Sequence, residues 1–153
     1  MTRSKEQHLG QTLGKTTFPR FFKFILIVAG WQTYRFFAAI GFGDIELFGG
    51  SILPNAWVIP IWQDTMTGLL APFIVYMLAK RPSILSYALG VSFFIFGIVD
   101  FTNGLIIDAL YPSLNEIPKG AMAAWLSTNM LFEVLALGLL LSPKIRRYFM
   151  SKH

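Results

Sequence analysis

The chain has 153 residues, 54% of them hydrophobic and 16% aromatic, with only 14% charged. Soluble domains carry about 25% charged residues, so this is a membrane composition, and the length fits one bundle rather than two domains. The net charge is +5, but the basic residues sit at the ends of apolar runs, which reads as membrane topology and excludes nucleic acid as a partner; the lack of cysteine excludes disulfides, thiolate metal sites and thiol redox chemistry within the chain.

Residues 1–20 are polar and mixed, with Gly10, Gly14 and Pro19, and read as an interfacial tail. The first apolar run starts near Phe21 and continues to about Gly41 with no small-residue cleavage site, so a span is expected and no cleavable signal peptide. A loop follows over 43–55. The second span is expected over about 57–79. Lys80-Arg81-Pro82 is a tight turn, because proline stops a helix from continuing. The third span covers about 84–110, the next loop holds Pro112 and Pro118, and the fourth span covers about 121–141. Ser142-Pro143 ends it, and residues 142–153 form a basic tail. Each run approaches the roughly 20 residues that cross about 30 Å of hydrocarbon, and helices are the form such continuous runs take. The expected fold is an all-α integral membrane protein, a four-helix transmembrane bundle in the cell membrane.

Lys and Arg set the orientation. Arg3, Lys5, Lys15, Arg20 and Lys23 precede or open the first span, Lys80 and Arg81 join the second to the third, and Lys144, Arg146, Arg147 and Lys152 follow the fourth. On the other side only Lys119 is basic, beside Asp44, Glu46 and Glu116. Both termini are therefore expected to be cytoplasmic, with Trp57, Trp62, Tyr111 and Trp125 as an outer aromatic belt. Anionic lipids are the expected partners of the basic side.

Each span carries an ionisable residue, and hydrocarbon penalises charge. A charge at the bilayer centre costs roughly 2.5–3.5 kcal/mol on the lenient insertion scale, so Arg35, Asp64, Asp100 and Glu133 should face a protein interior or a cavity. At about 1.5 Å of rise per residue they lie about 18, 24, 25 and 14 Å from the cytoplasmic ends of their spans. Gln32, Asn103 and Asn129 fall within a turn of them. Gln32 and Arg35 share a face, as do Asp64 and Gly68, Gly97, Asp100 and Gly104, and Asn129, Glu133 and Ala136, so the polar faces are flanked by small residues that let helices approach. One arginine cannot neutralise three carboxylates. Asp64 or Asp100 is expected to pair with Arg35 through both oxygens. A remaining acid, Glu133 first, is then neutral or matched by a cation or proton from outside.

Three stretches, Gly50-Ser51-Ile52-Leu53-Pro54, Asp64-Thr65-Met66-Thr67-Gly68-Leu69-Leu70-Ala71-Pro72 and Gly97-Ile98-Val99-Asp100, resemble an uncharacterised family of small multi-pass bacterial membrane proteins. The resemblance spans about Trp31 to Asp108. It implies that Asp64 and Asp100 belong to a family pattern and implies no activity. Gln63 stands where that family has glycine, and Phe93 to Phe96 stand where it often has asparagine.

Three functions fit these residues. The first is an outward polar pocket that binds or passes a small cation, proton or polar ligand, with cation preference from the excess of acid. The second is an accessory subunit, or a homodimer, in which the charges lock assembly and apolar faces bearing Phe93, Phe94 and Phe96 dock on a partner. The third is an intramembrane acid–base enzyme acting on a lipid-soluble substrate. Against all three stands a purely architectural role for the charges, as locks on helix register. His8 and His153 lie in the tails, and an arginine among the acids disfavours a carboxylate metal site, so neither metal nor cofactor is expected. The Gly10-to-Thr16 stretch falls one residue short of the phosphate-loop spacing and follows no strand.

Overall fold

The computed structural model describes residues 21–38, 40, 57–110 and 120–151. The polar tail over 1–20, Gly50–Pro54, Tyr111, Lys119 and the acids Asp44, Glu46 and Glu116 lie outside the described residues.

The described residues are helical, with no strand among them. The helices are α1 (Phe22–Trp31), α2 (Val58–Lys80), α3 (Ile84–Leu110), α4 (Ala121–Leu140) and α5 (Pro143–Met150). Three of them, α2, α3 and α4, are long and apolar enough to cross a membrane. Their 23, 27 and 20 residues span about 30–40 Å at the helical rise, against about 30 Å of hydrocarbon. Around them Ile27, Ile59, Leu69, Leu85, Val99 and Leu131 are at least half exposed. Water would not tolerate so wide an apolar belt on a monomer.

The expected first span is interrupted. Helix α1 stops at Trp31, the backbone turns at 32–33, and helix resumes over 34–38. Through the turn the amides bond three residues back: Thr33 N–H to the Gly30 carbonyl at 3.1 Å, Arg35 to Gln32 at 3.1 Å and Phe36 to Thr33 at 3.2 Å. Such tightening marks a local break in the α-helical ladder. It sits beside Arg35.

Local sequence explains the other boundaries. After Pro82, Ser83 and Ser86 cap the start of α3 reciprocally. The Ser86 amide donates to the Ser83 hydroxyl at 3.2 Å and the Ser83 amide to the Ser86 hydroxyl at 2.8 Å. Pro143 opens α5, where its missing N–H costs nothing. The basic segment after Ser142 thus folds as a helix, with Ile145 and Phe149 buried and Lys144, Arg146 and Arg147 exposed.

Helix α3 packs along α4 and α2, and α1 packs on α2 and α4. The interior forms layers. At the end bearing Lys80 and Lys144, Phe22, Ile25, Leu78, Phe94, Leu140 and Phe149 form an apolar plug. At the opposite end Trp57, Phe101 and Leu126 form a smaller cluster. Polar side chains fill the layer between. Phe93 and Phe94, expected on an outward apolar face, are instead core residues at 6% and 0% exposure, while Phe96 is exposed as expected. The reason is that α3 is packed on both sides, by α2 and α4, so two of its faces are interior.

Candidate functional site

Arg35 gathers all three acids. Its Nε donates to Asp64 Oδ1 at 2.5 Å, one terminal nitrogen donates to Asp100 Oδ2, and the other lies 3.7 Å from Glu133 Oε1. The expectation of one bidentate partner is replaced by a fork shared among three helices. Residues 34–38 supply the guanidinium, and α2, α3 and α4 each supply one carboxylate. Its Cζ also lies over the Phe101 ring, 4.3 Å from the centroid. Arg35, Asp100 and Glu133 are sealed at 1%, 2% and 0% side-chain exposure, but Asp64 is 35% exposed. Fully ionised, the set carries a formal charge of −2.

Small residues make this convergence possible. A Cβ on Gly68 would overlap the backbone of Phe36, so glycine there brings the segment bearing Arg35 against α2. Gly68 is four residues from Asp64, on the same face. A Cβ on Gly97 would overlap the Glu133 carboxylate, which occupies that space on α3.

The other sequence-predicted residues divide. Asn129 does not join the charges: its Nδ2 donates to the Trp125 carbonyl at 2.9 Å, and its Oδ1 accepts from Trp31 Nε1 at 3.1 Å. It fastens α1 to α4. Gln32 is fully buried at the helix break, and among the described residues neither its amide oxygen nor its nitrogen has a hydrogen-bond partner. Both Glu133 oxygens are likewise without a hydrogen bond among the described residues. Asn103 is half-buried, one turn beyond Asp100 on α3. No group of three acidic, histidine or cysteine residues suited to a metal ion occurs among the described residues; the carboxylates converge on the guanidinium.

Above the charges lies a half-open cavity of about 350 Å³. Among the described residues Asp64 is the charged group in its wall. Tyr34, Trp57, Phe101 and Trp125 supply aromatic surface, and Ile61, Met122 and Leu126 much of the rest. Tyr34 meets Trp125 edge-on at 5.4 Å and Trp31 at 5.2 Å between ring centroids. The cavity lies at the end of the helices away from Lys23, Lys80, Arg81 and Lys144. Sequence reasoning put Trp57 and Trp125 in an interfacial belt and passed over Tyr34. The signal for Tyr34 was its place between Trp31 and Ala38, at helical spacings of three and four residues on the expected first span.

No family model, curated protein or solved structure matches this chain.

Proposed function

We propose that the chain is a four-helix membrane protein with both termini cytoplasmic, whose outward cavity binds a small positively charged ligand at Asp64. The orientation follows from the basic residues of the described helices, which cluster at the end opposite the cavity. In this arrangement residues 21–38 form most of the first span, and the apolar plug closes the cytoplasmic side. One observation carries the reading. A single buried guanidinium serves three carboxylates, and the only one of those carboxylates with substantial exposure, Asp64, lines the cavity. Charge so placed in a membrane marks ligand or ion sites, and its sign here selects cations.

Arg35 is the fixed countercharge in this scheme. It is too deeply buried, at 1% exposure, to meet a ligand. It holds Asp64 at the cavity floor, while one terminal nitrogen bonds Asp100 and the other lies 3.7 Å from Glu133. A proton or cation arriving at Asp64 relieves the excess negative charge.

The test is protection from heat in mild detergent, with protons, Na⁺, K⁺ and small ammonium ions as probes. The reading predicts that at least one raises the unfolding midpoint in wild type and not in Asp64→Asn. Equal behaviour of the two proteins toward every probe would refute it. Co-purification with stoichiometric polypeptides that cover the cavity would favour an accessory subunit instead.

A further inference from the structure

We infer that the ligand is a monovalent organic cation with an apolar body, an alkyl- or arylammonium, rather than a bare metal ion. This rests on the cation-site reading and adds its chemical class. A bare metal cation needs a shell of oxygen ligands, about six for the common hard ions. Among the described residues the cavity wall offers the Asp64 carboxylate and Tyr34, and is otherwise aromatic and aliphatic. A hydrated ion would give up water here and receive little in return.

An arylammonium meets the opposite situation. Its charged end fits against Asp64, and its body covers Trp57, Trp125, Met122 and Leu126. Tryptophan and tyrosine faces attract cations within about 6 Å of the ring centroid, and quaternary ammonium recognition uses such aromatic walls. The volume, about 350 Å³, falls in the ordinary range for small-molecule pockets, roughly 300–1,000 Å³. Anions are disfavoured because the guanidinium is sealed beneath the acids, and a neutral body of the same shape gains no charge contact.

The experiment is calorimetric titration of the full chain in maltoside with phenyltrimethylammonium. Comparators are tert-butylbenzene, its uncharged carbon analogue, then benzenesulfonate, NaCl and KCl. The expected result is one saturable site for phenyltrimethylammonium, with tert-butylbenzene and benzenesulfonate at least tenfold weaker. Asp64→Asn should weaken the cation at least tenfold and Trp125→Ala several-fold. Met122→Trp, which fills the cavity and leaves every charge in place, should abolish binding, and it decides the matter if Asp64→Asn is not monodisperse. Competition by lysophosphatidylcholine would assign the cation to a lipid headgroup, and no competition to a soluble amine; both support the class. Equal binding of tert-butylbenzene would overturn the inference. Asp64-dependent binding of Na⁺ or K⁺ without phenyltrimethylammonium would overturn it and leave the cation-site reading intact. No difference between wild type and Asp64→Asn for any probe would overturn both.

Discussion

Gly68→Ala is the substitution that most directly loads the joint between the Arg35 segment and α2. A Cβ at this position would stand 2.7 Å from Phe36 Cβ and 2.9 Å from Phe36 Cα, and closer still to the Phe36 amide nitrogen, where ordinary contact begins near 3.4 Å. The obstructing atoms are mostly backbone, so no side-chain rotation clears them. The 34–38 segment must withdraw by well over half an ångström to clear the amide nitrogen, and it carries Arg35 away from Asp64. Overpacking costs about 1–3 kcal/mol, and the backbone obstruction puts Gly68→Ala at the upper end. Gly97→Ala meets the end of a side chain, Glu133, and should cost less, about 1–2 kcal/mol. Gly138→Ala meets nothing within 4 Å and should be neutral, or stabilising by up to about 1 kcal/mol through helix propensity. Reversible unfolding in mixed micelles, read by circular dichroism, gives the three values. A Gly68→Ala protein within about 0.5 kcal/mol of wild type, the usual scatter for harmless substitutions, would refute the close approach of these two segments.

Arg35→Met removes the cation from beneath three carboxylates and should destabilise by about 3–5 kcal/mol. Adding Asp100→Asn and Glu133→Gln should recover much of that loss, and the same unfolding assay shows whether it does. Trp31→Phe removes one hydrogen bond to Asn129 across two helices and should cost only about 0.6 kcal/mol, the average for such contacts in membranes. Replacing Lys144, Arg146 and Arg147 by glutamine should leave the unfolding midpoint unchanged, since all three are exposed. It should weaken association with anionic lipid by about 1 kcal/mol per residue, measured by native mass spectrometry with phosphatidylglycerol.

The gathering of Arg35, Asp64, Asp100 and Glu133 was legible because depth and face can be counted along a helix. The small residues beside them, Gly68, Gly97 and Ala136, were legible for the same reason. Charge balance showed that one arginine was too few, but not how it would be shared; a fork contacting three helices depends on their relative rotation, which spacing on any one helix does not define. The turn at 32–33 was hidden because Trp31, Gln32 and Thr33 include no proline or glycine, and Gly30 sits just before. The core positions of Phe93 and Phe94 were misread because phenylalanine suits lipid and protein interior alike. Only the placement of α3 between α2 and α4 distinguishes the two. An outward pocket was among the expectations, but its aromatic wall was not legible, because Tyr34 and Trp125 come from segments far in sequence from Asp64.

Because the chain has no cysteine, accessibility can be mapped with single-cysteine variants. In intact cells, Ile61→Cys and Met122→Cys line the cavity, while Leu78→Cys lies in the plug below the charges. The account predicts that a membrane-impermeant thiol reagent added outside modifies the first two and spares Leu78→Cys, and that phenyltrimethylammonium slows modification only where Asp64 is intact. Modification of neither cavity position from outside, or a cation effect that survives Asp64→Asn, would contradict an outward cation site.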